Sequence, residues 1–502
     1  MGKINFKPVP GCVGEYSEHG NILKLIVPIP YRSEVRKRLT IINKGSFFRM
    51  NQIMKNSIPF INRRLENCED GVEKVQLEEM LGKLWSEYKV LQDNQKKKYF
   101  EETPVGDFLV PPGLWYLAEK IKDDRHINAE VKDIWTPDYA RDYQKEDVAK
   151  LLKYKRGTGV WATGLGKSIL ALSICKTMEM AGKRICVVVP TEELVKQMSQ
   201  TIGTFCDTTT AGGGRHPRPG ANVLVTTAAS AIKYIDIYDC IIIDESHHSS
   251  AKTWENLLLA AQKADYIYNL TATPFRTDGM DLGIHAFGGP IVFERDVAWG
   301  VRNGWLSKLK VYMVFIDAKD RNNDPIDMPT SKKVQVVYKI LSSMKEVNNF
   351  LLKNLCAVLE RHKKAMVLYK TVKAGESLSK ILSRAEIPHG LASSSTKKII
   401  KDFRENKIKI MISNDRLVGE GVDIPDADLM INLLQNSSEV ITSQVTGRIL
   451  RPSPGKECGV MIDVCFNGYP QFENSAIGRL RLYQKITDDI TIIGKPRGRS
   501  RD

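Results

Sequence analysis

Paired cysteines are missing from this chain. Its nine cysteines are scattered, none forms a Cys-x-x-Cys pair, and the nearest two, Cys458 and Cys465, share a strand-like segment. That pattern excludes a zinc ribbon and a disulfide framework, so all nine read as reduced thiols of a cytoplasmic protein. No run of about 20 apolar residues is present, so no membrane-spanning helix is expected. The start, Met1-Gly2-Lys3-Ile4-Asn5, has no apolar core of a secretory signal. Acidic residues are in deficit, 59 Asp and Glu against 74 Lys and Arg, for a formal net charge of +15. A surplus of that size points to a polyanionic partner, nucleic acid before membrane, although it also serves plain solubility. The hydrophobic fraction of 42% is that of a globular protein, and 502 residues suggest about three domains.

What is present centres on Trp161-Ala162-Thr163-Gly164-Leu165-Gly166-Lys167-Ser168, between a short apolar run and the helix-like Ile169-Leu170-Ala171-Leu172. A strand, a glycine turn and a helix start form a phosphate cradle. The glycines turn backbone N–H groups inward, the helix N-terminus adds positive dipole, Lys167 reaches the outer phosphates, and Ser168 holds Mg²⁺. Trp161 stands where the strict pattern has its first glycine. Upstream, Tyr139-Ala140-Arg141-Asp142-Tyr143-Gln144 opens a helix. The Gln144 amide can read an adenine edge as donor and acceptor, with Arg141 in the same nucleotide-binding group.

Downstream, the apolar strand Cys240-Ile241-Ile242-Ile243 ends in Asp244-Glu245-Ser246-His247. An acid at the carboxyl end of a buried strand faces the ligand crevice. Asp244 can hold Mg²⁺ through water, and Glu245 can orient and deprotonate an attacking water; a helix N-cap is the plainer alternative. Farther on, Ser443-Gln444-Val445-Thr446-Gly447-Arg448-Ile449-Leu450-Arg451 places two arginines three apart on one helix face. Their fork geometry suits γ-phosphate oxygens, Arg451 as the finger and Arg448 as a phosphate contact.

Strand and helix signals alternate from about residue 131, which argues parallel α/β sheets. Before that, residues 75–102 read as one long helix with Leu77, Leu81, Leu84, Tyr88 and Leu91 in a single stripe that packs on the protein's own body, a helical hairpin or coiled-coil arm being the alternative. The first fifty residues mix Lys and Arg with Tyr31, Phe47 and Phe48, which suits either a nucleic-acid face or a solvated basic surface. The turn Gly212 to Gly220, with Arg215, His216 and Arg218, reads as a surface loop, with contact to a nucleic-acid backbone as the alternative. Gly459 to Val464 reads as the closing strand, followed by a basic tail.

Together with Leu270-Thr271-Ala272-Thr273-Pro274-Phe275-Arg276-Thr277-Asp278-Gly279, the loop and Asp-Glu-Ser-His resemble superfamily 2 helicases of the Asp-Glu-x-His type. The Thr-Ala-Thr-Pro string is similar to the branch of type III restriction motors, repair helicases and phage recombination helicases of the UvsW kind. In that family the position of Trp161 varies. The resemblance implies that Pro190, Thr191, Thr226 and Thr227 lie at the nucleic-acid strand, and that Thr271 and Thr273 couple ATP state to strand binding. It also implies that Gly419 and Gly421 approach the strand backbone and that Asp423 meets the ribose, although Asn414 stands where threonine is common. His247 and Gln444 join the nucleotide pocket.

The expected architecture is α/β, two tandem RecA-like parallel-sheet lobes with a smaller α+β N-terminal domain. The divisions are 1–130 as an accessory DNA-binding domain, 131–305 and 306–488 as the lobes, and 489–502 as the tail. The expected activity is an ATP- and Mg²⁺-dependent helicase or translocase, a monomeric motor on branched or junction DNA, with replication or recombination proteins as further partners. An RNA helicase and a restriction motor subunit are the alternatives. A non-hydrolysing binding module is opposed by intact Lys167, Asp244, Glu245 and Arg451.

Overall fold

Unbroken apolar runs build the sheets. Ile185–Val189 and Cys240–Asp244 are buried at every position, as strands covered on both faces must be. The structure, a computed structural model, describes residues 7–17, 22–42, 49–68, 71–93, 96–122, 124–244, 251–261, 263–272, 281–317, 364–392, 397–414, 427–435 and 439–494. The chain forms two compact units, residues 1–160 with 168–294, and 161–167 with 295–502.

The first unit begins with strands β1 (Val9–Tyr16) and β2 (Leu23–Ile26), helix α1 (Arg32–Arg38) and strand β3 (Thr40–Ile42). Helices α2 (Ile58–Glu66) and α3 (Gly71–Asp93) follow, then strands β4 (Lys96–Lys98), β5 (Glu101–Glu102), β6 (Phe108–Val110) and β7 (Ala118–Ile121). Five of these strands make one mixed sheet in the order β5-β6-β2-β1-β7. The long helix expected over 75–102 is shorter. α3 stops at Asp93, just past the end of its leucine stripe, and Lys96–Lys98 pairs antiparallel with β3. Tyr99 then donates its N–H to the Leu39 carbonyl at 3.0 Å and is buried, so strand pairing and an aromatic anchor outweigh the helix propensity of lysine. The stripe of α3 faces α2 in a helical hairpin, with Leu77 buried and Arg49 paired to Glu87 at 2.7 Å.

Next come helix α4 (Asp142–Leu151), strand β8 (Arg156–Trp161), helix α5 (Lys167–Met180), strand β9 (Ile185–Val189) and helix α6 (Glu192–Ile202). The unit closes with strands β10 (Thr208–Ala211), β11 (Val223–Thr227) and β12 (Cys240–Asp244), helix α7 (Ala251–Ala261), strand β13 (Tyr266–Thr271), helix α8 (Asp281–Gly288) and strand β14 (Ile291–Arg295). Seven strands form one sheet, β10-β11-β9-β12-β13-β8-β14. A single hydrophobic cluster runs from the N-terminal sheet (Leu25, Phe108, Leu114) into this lobe (Leu257, Leu282, Phe287), across the division expected at residue 130. Gly113 shows how close the join is. A Cβ there would lie 2.5 Å from the His285 carbonyl oxygen and 2.7 Å from the Gly289 nitrogen, so only glycine lets the two backbones meet.

The second unit holds helix α9 (Val297–Arg302), strands β15 (Lys308–Asp317) and β16 (Ala365–Tyr369), helix α10 (Val372–Arg384), strand β17 (His389–Leu391), helix α11 (Lys397–Arg404) and strand β18 (Ile410–Asn414). Strand β19 (Leu429–Asn432), helix α12 (Glu439–Ile449), strand β20 (Cys458–Asn467), helix α13 (Pro470–Ile486) and strand β21 (Ile490–Ile493) complete it. The parallel order is β17-β18-β16-β19-β20-β15-β21. The expected closing strand, Gly459 to Val464, is therefore interior. The edge is closed by β21, four residues that composition had assigned to the basic tail. Two units with seven-stranded sheets, plus a smaller α+β N-terminal region, match the expected fold class.

Candidate nucleotide site

The site begins in β8, whose six residues are all buried. Its glycines make room for neighbours. A Cβ on Gly157 would lie 2.7 Å from Val292 Cγ2, and one on Gly159 would lie 2.6 Å from Phe293 Cζ. Trp161, irregular as a motif letter, is a fully buried core side chain. The loop then turns. Leu165 donates its N–H to the Ala162 carbonyl at 3.1 Å, and Gly164 and Gly166 take φ of +93° and +90°, the left-handed region that favours glycine. α5 starts at Lys167, so the unsatisfied N–H groups of its first turn and its dipole point at the loop. Ser168 lies in that turn. The cradle fits a polyphosphate.

Register places the remaining groups of the first unit. Asp244 pairs with Leu270, and Thr271 with Val160, so the carboxyl ends of β12, β13 and β8 lie side by side. Asp244 is buried two strand spacings, or ~10 Å, from β8. On the same edge, Thr227 pairs with Val189, which brings Pro190 and Thr191 beside Thr226 and Thr227. These threonines also have local duties. Thr191 Oγ1 caps α6 by accepting the Leu194 N–H at 3.3 Å, and Thr226 is buried with its hydroxyl donating to the Ala211 carbonyl at 2.9 Å. Gln144 sits in the first turn of α4, where its Oε1 accepts the Arg141 N–H at 3.0 Å, and the Arg141 guanidinium donates to the Tyr143 hydroxyl at 3.2 Å. Its carbonyl thus serves a capping box, a use that the sequence reading did not foresee.

The second unit contains both the loop, residues 161–167, and the arginine motif. The two are in contact. A Cβ on Gly447 would lie 3.0 Å from Thr163 Cβ, and one on Gly164 would lie 3.2 Å from Arg451 Cγ and 3.6 Å from the Gly447 carbonyl oxygen. Leu165 is buried beside Gly300, and the Ala162 N–H donates to the Arg295 carbonyl at 2.8 Å. Gln444 and Arg448 are buried on α12. One expectation changes here: α12 ends at Ile449, so Arg451 lies beyond the helix and not on a shared helix face. Pro452 is the reason, because proline disfavours helical geometry in the residue before it. Burial pushes the Arg448 pKa down to about 10 and lowers that of Arg451 as well. Desolvated cations bind an anion more strongly than they would in water.

Glu245, His247, Thr273, Gly419, Gly421 and Asp423 fall outside the described residues. Among the described residues no cluster of His, Cys, Asp and Glu could hold a metal by itself, and no helix is long and apolar enough to cross a membrane. The basic N-terminal residues are largely engaged. Lys24 pairs with Asp107 at 3.1 Å, Arg36 with Glu102 and Arg38 with Glu34. Arg215 and Arg218 of the glycine-rich turn pair with Glu192 and Asp207, as a surface loop would.

Two protein-family models match the chain: "Type III restriction enzyme, res subunit" over residues 139–276 and "Helicase conserved C-terminal domain" over 347–453. The two domains, in this order, are those of superfamily 2 helicases. Within them the chain falls in the type III restriction-like branch, and it is a nucleic-acid-dependent ATPase. One curated relative is the "DNA 3'-5' translocase XPB2" of Sulfurisphaera tokodaii, 26% identical over 62% of this chain and 78% of the relative. Another is the "ATP-dependent DNA helicase uvsW" of Enterobacteria phage T4, 21% identical over 64% of this chain and 67% of that one. Among solved structures, the DNA-bound type ISP restriction-modification enzyme LlaBIII matches 72% of this helicase and 32% of its own chain, with a TM-score of 0.54 and 18% identity. That likeness shows the fold.

Two features of this helicase escaped the sequence. The Asn269 amide lies under the end of β13. In the second unit, a buried ion pair joins Arg479 on α13 to Asp463 on β20 at 2.7 Å. Neither had a spacing signal: Asn269 and Asp463 are single polar letters in apolar strands, and Arg479 is one of several charges on its helix.

Proposed function

We propose that this helicase is a DNA-stimulated ATPase that unwinds or migrates branched DNA, forks and junctions. The observation that carries the ATPase chemistry is the contact of the glycine loop with Gly447 and Arg451. It supports a role for the arginine motif at the loop, and a Cβ on Gly447 would crowd Thr163 at 3.0 Å. Lys167 and the first turn of α5 hold the outer phosphates, and Ser168 and Asp244 would hold Mg²⁺. The metal, when bound, neutralises phosphate charge. Glu245 orients the attacking water and removes its proton. Arg451 reaches the transferring phosphoryl group, and Arg448 holds its oxygens. Arginines used this way contribute ~10³–10⁵ in rate in other nucleotide hydrolases.

The choice of DNA is supported by the names of the two relatives, a DNA translocase and a DNA helicase. The preference for branched DNA is supported by the resemblance to phage recombination helicases and by an N-terminal sheet built into the core of the first unit. ATP turnover should be measured with single strand, duplex, fork, four-way junction and RNA at one salt concentration. Forks or junctions should stimulate most. Stimulation by RNA alone would replace DNA with RNA as the substrate, and equal stimulation by duplex and junction would remove the branched-DNA preference.

A further inference from the structure

We propose that Asn269 is a positioning residue that couples the phosphate loop to the end of β13 at Thr271. This rests on the reading of the protein as a nucleic-acid-stimulated ATPase. Asn269 is 1% exposed, at the middle of the lobe and two residues before Thr271. In the ladder it stands opposite Thr158 of β8, the strand that runs into the phosphate loop. Its Nδ2 donates to Thr158 Oγ1 at 3.4 Å and to the Ile284 carbonyl of α8 at 3.2 Å. The Thr158 hydroxyl donates onward to the Gly289 carbonyl at 3.1 Å, which also accepts from His285 Nδ1 at 3.1 Å.

One amide therefore ties three pieces: the strand into the phosphate loop, the strand into the coupling threonines, and the helix to which the chain returns after them. α8 is fitted to it. A Cβ on Gly288 would lie 1.8 Å from Asn269 Nδ2, so the amide occupies the space that any other residue at 288 would fill. The same C-terminal end of that helix receives Gly113 of the N-terminal region. A displacement of Thr271 on strand binding must move or strain this joint, and β8 carries the strain nine residues on to Lys167.

The energetics argue for function over stability. Asn269 Oδ1 is buried and accepts no hydrogen bond from any described residue. A buried polar atom left unsatisfied costs stability, and such groups in native proteins call for an explanation. An apolar side chain of similar size would leave no such acceptor unsatisfied. Retaining the amide makes sense where its donors must hold two moving segments in register.

The test uses the full chain with Asn269→Leu, and Thr158→Val as a second variant that removes the acceptor on β8 while His285 still satisfies Gly289. ATPase is measured with and without fork DNA, alongside thermal melting. Both variants should keep their melting temperature and basal turnover, while the stimulated-to-basal ratio falls about tenfold, within the usual range of coupling between sites. Thr158→Ser, which keeps the hydroxyl, should restore the ratio. An unchanged ratio in both variants, or a fall in basal and stimulated rates together, would overturn the role of Asn269. Wild-type protein that no nucleic acid stimulates would instead overturn the ATPase reading on which it stands.

Discussion

Replacing Arg479 by leucine strands a buried carboxylate. In the second unit Asp463 is fully buried and Arg479 is 2% exposed. The guanidinium donates to Asp463 through Nε at 2.7 Å and Nη2 at 3.0 Å, a two-point grip between α13 and β20. Tyr483 adds its hydroxyl to Oδ2 at 3.0 Å, and Asn432 its Nδ2 to Oδ1 at 3.4 Å. Without the arginine, neutral donors alone must compensate a charge in low dielectric, and breaking such a pair from one side costs about 3–5 kcal/mol. The leucine itself packs acceptably on the aliphatic neighbours. Most of the loss is therefore the orphaned Asp463, and Asp463→Leu in the same chain should recover most of it, since buried pairs replaced by apolar residues are often neutral or better. The assay is a double-mutant cycle by urea unfolding of the full chain, followed by circular dichroism. The single change should lower the midpoint sharply, and the double change should restore it. A single-variant loss below about 1 kcal/mol, or a double variant equal to the sum of the singles, would refute the argument.

Other outcomes follow from the same structure. Gly164→Ala, at a φ of +93° with Leu306 Cδ2 only 2.9 Å from the new Cβ, adds about 1–2 kcal/mol of backbone strain, so the KM for ATP should rise about tenfold; an unchanged KM and melting temperature would show that the loop conformation is not needed. His285 is buried and burial lowers its pKa from 6.5 to about 4, so the folded state stays neutral while the unfolded chain takes up a proton. Stability should be full above pH 6.5 and fall as the pH drops from 6.5 toward 4, by about 3 kcal/mol in all; a flat urea midpoint between pH 7 and pH 5, or the same slope in His285→Leu, would count against it. Glu245→Gln should bind ATP and leave it uncleaved, and normal turnover would remove Glu245 as the base.

The parallel sheets were legible because buried strands carry continuous apolar runs, and the nucleotide loop because glycine, lysine and serine occur at fixed spacing. Local competition was harder to read. Lys96–Lys98 favours a helix by composition, yet it pairs with Thr40–Ile42 because Tyr99 anchors the strand. Arg451 sits at helical spacing from Arg448, yet Pro452 ends the helix between them. β21 was lost in a basic tail because four residues beside β15 gain their stability from a neighbour far away in sequence. The shared core across residue 130 was invisible for the same reason. Deleting residues 1–130 would uncover Leu282, Ala286 and Phe287, so point substitutions test the N-terminal region more cleanly than truncation.

The central claim is that Lys167 and its loop drive nucleic-acid-dependent ATP hydrolysis. It is tested most directly by steady-state ATP hydrolysis of wild type and Lys167→Ala with saturating fork DNA, alongside DNA binding by both. The wild type should hydrolyse ATP in a DNA-dependent manner, and the variant should bind DNA equally well with no hydrolysis above background. Retained DNA-dependent hydrolysis in Lys167→Ala would contradict the account.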